Sequence, residues 1–269
     1  MYKAVFLDLD GTLLDDNKNI SQENYDAIEY VTKNNGFVIL SSGRPISATR
    51  IFWEKTKASR YFIYSNGAGI FDTQANETIF SAIIEKNICL DLYNYAISNN
   101  LCIRFDTPYG RYITDLDYSI NTDVILNEDI IEFLNKEDIL QISFLTKIKN
   151  NIFENAIDYI NKKYNHFIKI ENRYTFINKN NEYIYTFNLV NTITSKGNAI
   201  SGLCKFLHID INDTIAIGDD LNDISMIKTV GLGVAMENAK PEVKKVAKQI
   251  TIDNNHSGVA KILREYFTF

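Results

Sequence analysis

Asp8-Leu9-Asp10-Gly11-Thr12 places two carboxylates two residues apart, directly after the apolar run Tyr2 to Leu7. A strand should stop there and a turn begin. A carboxylate at such a point cannot be buried without a partner, and a divalent cation is the simplest one. Asp8, Asp10 and a divalent metal together would make a site for phosphate chemistry. The pair by itself is weak, because Asp-x-Asp-Gly also occurs in ordinary acidic turns. Three later segments strengthen it: Ser41-Ser42-Gly43-Arg44, Lys196-Gly197, and Gly218-Asp219-Asp220-Leu221-Asn222-Asp223.

The elements that must carry these segments can be read from the apolar pattern. Ala4 to Leu7, Phe37 to Leu40 and Tyr61 to Tyr64 are short continuous apolar runs, as buried strands would be. Between them lie helical patterns. Ser21 suits an N-cap, with Tyr25, Ile28 and Val31 on one face and Asn35-Gly36 as the stop. Pro45 suits the start of the next helix, with Ile46, Thr49 and Phe52 following. Strands separated by helices imply right-handed crossovers and a parallel sheet. The same alternation returns near the C-terminus: a helix from Lys196, a strand over Thr214 to Ile217, another over Leu232 to Ala235, a helix after Pro241, a strand over Ile250 to Ile252 and a last helix from Gly258. Ligands bind such sheets outside the carboxyl ends of the strands. The aspartate, serine and Gly-Asp-Asp segments fall at those ends, and Lys196 opens a helix beside them.

The middle of the chain reads differently. Cys102 to Phe105 and Arg111 to Thr114 suggest a hairpin about Pro108-Tyr109-Gly110, and Leu140 to Leu145, Phe167 to Ile170 and Tyr183 to Phe187 suggest further strands. Helical patterns cover Ile84 to Ser98 and Ile152 to Tyr164. Paired strands with a few helices predict an antiparallel α+β layer. The fold expected is therefore α/β: a Rossmann-like parallel-sheet core over 1–82 and 188–269, interrupted by an inserted α+β domain over 83–187.

Composition narrows the partners. The net charge is -6 with no basic block, which argues against nucleic acid. An anionic substrate stays open, since a bound metal inverts the local field. Cys89, Cys102 and Cys204 form no Cys-x-x-Cys and are odd in number, which disfavours a disulfide framework or structural zinc. Reduced thiols suit a cytoplasmic location. No apolar run reaches membrane-spanning length, and Asp8 and Asp10 interrupt what would be a signal-peptide core. His166, His208 and His256 lack metal-ligand spacing. Trp53 and the many tyrosines and phenylalanines read as core packing. Taken singly, Lys196 would be a solvated first-turn lysine and Ser42 a turn residue.

Taken in order and spacing, these segments resemble the haloacid dehalogenase-like hydrolase superfamily, and within it the Cof-type phosphatases with a large α/β cap. Asp-Leu-Asp-Gly-Thr, Ser42 in Ser-Gly-Arg-Pro, Lys196 in Ser-Lys-Gly-Asn-Ala and Gly-Asp-Asp-Leu-Asn-Asp match the four motifs. Asn66-Gly67-Ala68, Asn254 and Gly258-Val259-Ala260 also match. Asn188 to Ile193 and Asn255-His256-Ser257 depart from the usual pattern at places that concern the pocket edge, not the reaction.

The resemblance implies roles. Asp8 would attack phosphorus and become an aspartyl phosphate. Asp10 would protonate the leaving alkoxide and then take a proton from water. Mg²⁺ would be held by Asp8, the Asp10 carbonyl and Asp219, with Asp223 in support. Ser42, Gly43, Lys196 and Asn222 would serve the phosphate, and Arg44 and Asn66 are candidate substrate contacts. Arg44 could equally just pair with a carboxylate, and Asp220 could lie at the surface. The cap would close over the site, exclude water and read the leaving group. The expected protein is a cytoplasmic Mg²⁺-dependent phosphatase of small phosphorylated metabolites, monomeric or weakly homodimeric, with no nucleic-acid or membrane partner. A phosphomutase of the same superfamily and a non-catalytic regulatory protein on the same fold are the alternatives.

Overall fold

The computed structural model of the chain describes residues 2–119, 123–148 and 151–267. The chain divides into two compact units, one made of the residues up to Phe80 and from Thr194 onward, the other of Ser81–Ile193.

The first unit begins β1 (Ala4–Leu7), α1 (Gln22–Lys33), β2 (Phe37–Ser41), α2 (Ile46–Thr56), β3 (Tyr61–Tyr64), β4 (Gly69–Asp72) and β5 (Glu77–Ser81). The chain then enters the second unit: α3 (Lys86–Ser98), β6 (Cys102–Asp106), β7 (Arg111–Ile113), β8 (Val124–Ile125), α4 (Ile130–Lys136), β9 (Gln141–Thr146), α5 (Ile152–Tyr164), β10 (Ile168–Ile177) and β11 (Tyr183–Asn191). It returns to the first as α6 (Lys196–Phe206), β12 (Thr214–Gly218), α7 (Ile224–Thr229), β13 (Leu232–Ala235), α8 (Pro241–Val246), β14 (Gln249–Ile250) and α9 (Gly258–Tyr266).

The first unit is an eight-stranded sheet in the order β14-β13-β12-β1-β2-β3-β4-β5. From β14 to β3 the pairs are parallel, and β4 runs antiparallel to β3. All four residues of β1 are fully buried, as the apolar run required of a strand covered on both faces. Ser21 caps α1 by accepting from the Asn24 amide at 3.2 Å, and Pro241 is the first residue of α8. From β1 the chain steps outward to β2 and β3. After the insertion it restarts at β12, on the other side of β1. The order therefore reverses beside β1, and the crevice at the carboxyl ends of β1 and β12 is where such a sheet takes its ligand.

The second unit is a six-stranded sheet in the order β10-β11-β9-β6-β7-β8, antiparallel except for the parallel β7–β8 pair. Its alternating residues divide cleanly. Ile103, Phe105, Ile142, Phe144, Phe187 and Leu189 form one core with Leu92 of α3, Phe133 of α4 and Ile157 of α5. Residues of the opposite parity, Arg104, Ser143 and Asn188, lie side by side across three strands.

The expected α/β class with an inserted α+β unit is the class observed. The expected insert, 83–187, is shorter than the unit found. Sequence reading ended the last strand at Phe187, where its apolar alternation blurs. The strand continues to Asn191, paired with β10 and β9 through Val190, so the break moves to 193/194. Strand β10 extends past Ile170 to Ile177 through the polar stretch Glu171-Asn172-Arg173, which carries no apolar signal. The β4–β5 pair and the short helix α4 had no sequence counterpart. No helix among the described residues is long and apolar enough to cross a membrane.

Candidate active site

Asp8 stands one residue beyond β1, its amide donating to the Ile217 carbonyl of β12 at 3.1 Å. Its carboxylate is buried. Lys196 reaches it from the first position of α6, a helix capped by Ser195. The Lys196 Nζ is wholly shielded from solvent and lies 2.5 Å from Asp8 Oδ1 and 2.6 Å from Asp223 Oδ1. Asp223 spends its other oxygen on the backbone, accepting from the amides of Asp219 at 2.9 Å and Asp220 at 3.0 Å. Those bonds shape the turn after β12 and turn Asp219 toward Asp8.

Asp219 is held from the first motif. Thr12 Oγ1 donates to its Oδ1 at 2.9 Å. Gly11 makes the approach possible, with φ at +81°; a Cβ there would stand 2.3 Å from Asp219 Oδ2. Oxygens of Asp8, Asp219 and Asp223 consequently lie within 4.8 Å of one another.

Three carboxylates thus face a single ammonium. Burial pushes the Asp8 carboxyl well above the usual carboxylate range, and the charge of Asp223 adds to this against the pull of Lys196. Burial raises Asp219 to about 6, opposed by the Thr12 hydrogen bond and supported by the charges of Asp223 and Asp220. Burial also works against the charge of Lys196, but Asp8 and Asp223 outweigh it and hold the ammonium protonated. The cluster carries uncompensated negative charge and offers only hard oxygen donors. Those two properties fit a divalent cation of the Mg²⁺ type.

Asp10 sits apart from these three. Its carboxylate is gripped by Arg44, with Nε at 2.6 Å and Nη2 at 2.7 Å, and by Lys18 Nζ at 2.8 Å. The Arg44 hydrogen bonds lower its pKa to about 2. Arg44 itself lies over the Phe52 ring at 4.9 Å. Ser42 is buried, and its Oγ accepts from the Arg44 amide at 3.1 Å, closing the loop after β2. Gly43 abuts Asn66, and Asn222 Nδ2 donates to Asn66 Oδ1 at 2.9 Å. Asp220 caps the turn that holds Asp223 and pairs with Lys240 at 2.5 Å.

Residues 5–263 match the sequence model of a family described as haloacid dehalogenase-like hydrolase. The chain belongs to that family. Two Bacillus subtilis proteins named 5-amino-6-(5-phospho-D-ribitylamino)uracil phosphatases are 31% and 28% identical to this hydrolase over 98% of its length, and the match covers 95% and 97% of theirs. A crystal structure from Thermotoga maritima shares the fold, with a TM-score of 0.82 at 24% identity over 100% of this chain and 99% of that one. Both Bacillus relatives are named phosphatases, and this haloacid dehalogenase-like hydrolase is a phosphoric monoester hydrolase.

Its fold brings Asp8, Lys196, Asp219 and Asp223 into one cluster and gathers Asp10 with Arg44 beside it. Sequence reading missed two polar contacts of the hydrolase. Lys18 on Asp10 had no signal, being one lysine in the polar loop before α1. Thr12 on Asp219 lay inside the first motif, but its partner is 207 residues away.

Proposed function

We propose that this hydrolase is Mg²⁺-dependent and releases phosphate from small phosphorylated metabolites, such as sugar phosphates and phosphorylated cofactors, through an aspartyl phosphate on Asp8. The observation that carries this reading is the cluster of buried Asp8 and Asp223 and half-buried Asp219 around the Lys196 ammonium. An Asp8 carboxyl raised by burial is a poor nucleophile at neutral pH, so the site needs one more positive charge to work. Asp8 and Asp219, with the Asp10 carbonyl and with Asp223 in support, would hold the cation. Bound Mg²⁺ would supply that charge and neutralise the incoming phosphate.

In the first half-reaction an Asp8 oxygen bonds to phosphorus as the ester P–O bond breaks, and Asp10 hands the alkoxide a proton. In the second, water attacks the same phosphorus, its proton passes to Asp10, and Asp8 leaves as carboxylate. Lys196 keeps Asp8 aligned and counters charge on the transferring group. Ser42 holds a non-transferring oxygen, and Gly43 leaves room for it. Ionised beside Arg44 and Lys18, Asp10 is ready to accept a proton. To donate one, it must first lose their grip.

The 81–193 unit would choose among esters. Each of its three arginines is already engaged with a carboxylate, Arg104 with Asp106, Arg111 with Asp123 and Arg173 with Glu154. That supports a hydrolase over a mutase needing several free arginines for a second phosphate. Removal of divalent ions tests the reading: phosphate release from an aryl phosphate should stop in chelator and return with Mg²⁺. Full activity in excess chelator would overturn it.

A further inference from the structure

The outer side of an edge strand carries amides and carbonyls without a ladder partner, and proteins ordinarily guard it by shortness, charge, proline or a bulge. The two sheets present four such edges among the described residues: β14, β5, β10 and β8. Strands β14 and β8 have two residues each, and β5 has five and opens on Glu77. Strand β10 has ten. Its guard is a bulge, where the register with β11 shifts between Ile170 and Asn172. Past the bulge, residues 172–177 pair regularly with β11 on one side. No loop or helix among the described residues hydrogen-bonds to the backbone of their other side. The stretch holds no proline and one charge, Arg173, which Glu154 of α5 already meets at 3.2 Å. Tyr174 is 40% exposed and Ile177 52%, and Thr175 between them is exposed too. A long, open edge with apolar side chains is built to take another strand.

The residues of the edge select the strand that fits. Two copies related by a two-fold axis perpendicular to the sheet pair antiparallel, and residues facing each other then share a side of the sheet. With the axis at Thr175, Tyr174 faces the partner's Phe176, Arg173 faces the partner's Ile177, and Glu171 comes toward the partner's Lys179. Tyr174 and Phe176 already lie together, with ring centroids 6.1 Å apart, so the pairing gathers four rings on one face. Cross-strand aromatic pairs and opposite charges both favour such a ladder. Moving the axis to Tyr174 sets Asn172 against Phe176 and Glu171 against Ile177. Moving it to Phe176 sets Arg173 against Lys179, a like-charge pair. Only the Thr175 axis matches ring with ring and acid with base.

We propose that the outer edge of β10 is an interface with a second copy of this chain, paired antiparallel about Thr175 so that the two 81–193 units share one continuous sheet.

Sedimentation velocity of the full chain tests this. One strand pair is a small interface, so the dimer should dissociate with a constant of about 1–100 µM. Thr175→Lys sets two lysines face to face at the axis, beside the two Arg173 side chains, and should weaken the dimer about tenfold or more. An equimolar mixture of Thr175→Lys and Thr175→Glu should associate more tightly than Thr175→Lys alone, because residue 175 then meets its opposite charge. Amide hydrogen exchange of the wild-type chain needs no variant: protection of residues 172–177 should rise with protein concentration. A wild-type chain still monomeric at about 1 mM overturns the proposal and leaves a strand from some other protein as the occupant of the edge. A dimer indifferent to Thr175→Lys, a mixture no tighter than that variant alone, or exchange at 172–177 that ignores concentration overturns it as well.

Discussion

Replacing Lys196 by Met keeps a similar stem and removes the ammonium from between Asp8 and Asp223, where it is wholly shielded. Three carboxylates, buried Asp8 and Asp223 and half-buried Asp219, then face one another without that ammonium. The least costly repair is for one of them to take up a proton beyond the one that burial already favours on Asp8. A carboxyl with an ordinary pKa near 3.9 costs about 1.36 kcal/mol per pH unit to keep protonated, so that repair costs about 4 kcal/mol at pH 7 and about 1.5 kcal/mol at pH 5. The destabilisation is bounded accordingly: about 3–4 kcal/mol at pH 7, in line with other broken buried pairs, and about 1–2 kcal/mol at pH 5. The sign follows from proton counting. The native variant holds more protons than its unfolded chain, so its stability falls as pH rises from the unfolded carboxyl value toward the raised folded one. Urea unfolding of both proteins at the two pH values, without divalent ions, measures the difference. Phosphatase activity should drop by about 10²–10³-fold or more. A loss below about 1 kcal/mol at pH 7, or one equal at both pH values, would refute the claim that Lys196 is the chief compensation of buried Asp8 and Asp223.

Asp10→Asn should separate the two half-reactions. With an aryl phosphate the leaving group needs little protonation, so a burst of phenolate near one equivalent should precede turnover slowed by about 10²–10⁴-fold, and the phosphoenzyme should be visible by intact mass. An alkyl phosphate should give no burst; equal slow rates without phosphoenzyme would count against these roles for Asp8 and Asp10. Replacing 81–193 with a short linker should leave weak aryl phosphatase activity and erase choice among metabolites, whereas intact selectivity would remove the second unit as reader. Asp72, buried and gripped by Arg60 at 2.6 and 2.7 Å, has its pKa lowered chiefly by that guanidinium. The pair's contribution is therefore present above the ordinary carboxyl value, about pH 4, and lost as pH falls through the lower folded value, so the stability gap between wild type and Asp72→Asn should close as pH falls below about 4; a constant gap would argue against it.

The core fold was legible because its signals are local. Each buried strand is a continuous apolar run, each helix between them shows a face and a cap, and alternation of the two leaves few topologies besides a parallel sheet. The motif segments could be assigned to strand ends for the same reason: a charged pair directly after an apolar run marks where the sheet stops. Less was legible in the insert. Polar Glu171-Asn172-Arg173 became strand because β11 was there to pair with, and Val190 stayed in the second unit because β9 and β10 extend that far. Such outcomes depend on neighbours that local propensity cannot see.

Sequence alone determined which residue types could do phosphate chemistry and that they would collect at the carboxyl edge of one sheet. The tertiary structure decided their partners. It set Lys196 between Asp8 and Asp223, bound Asp10 to Arg44 and Lys18, put Thr12 on Asp219, and joined Asn66 to Asn222. Those contacts span from 8 to 207 residues of chain. Spacing along the sequence constrains only neighbours a few residues apart, and distance, burial and charge balance between remote groups exist only once the sheet has closed.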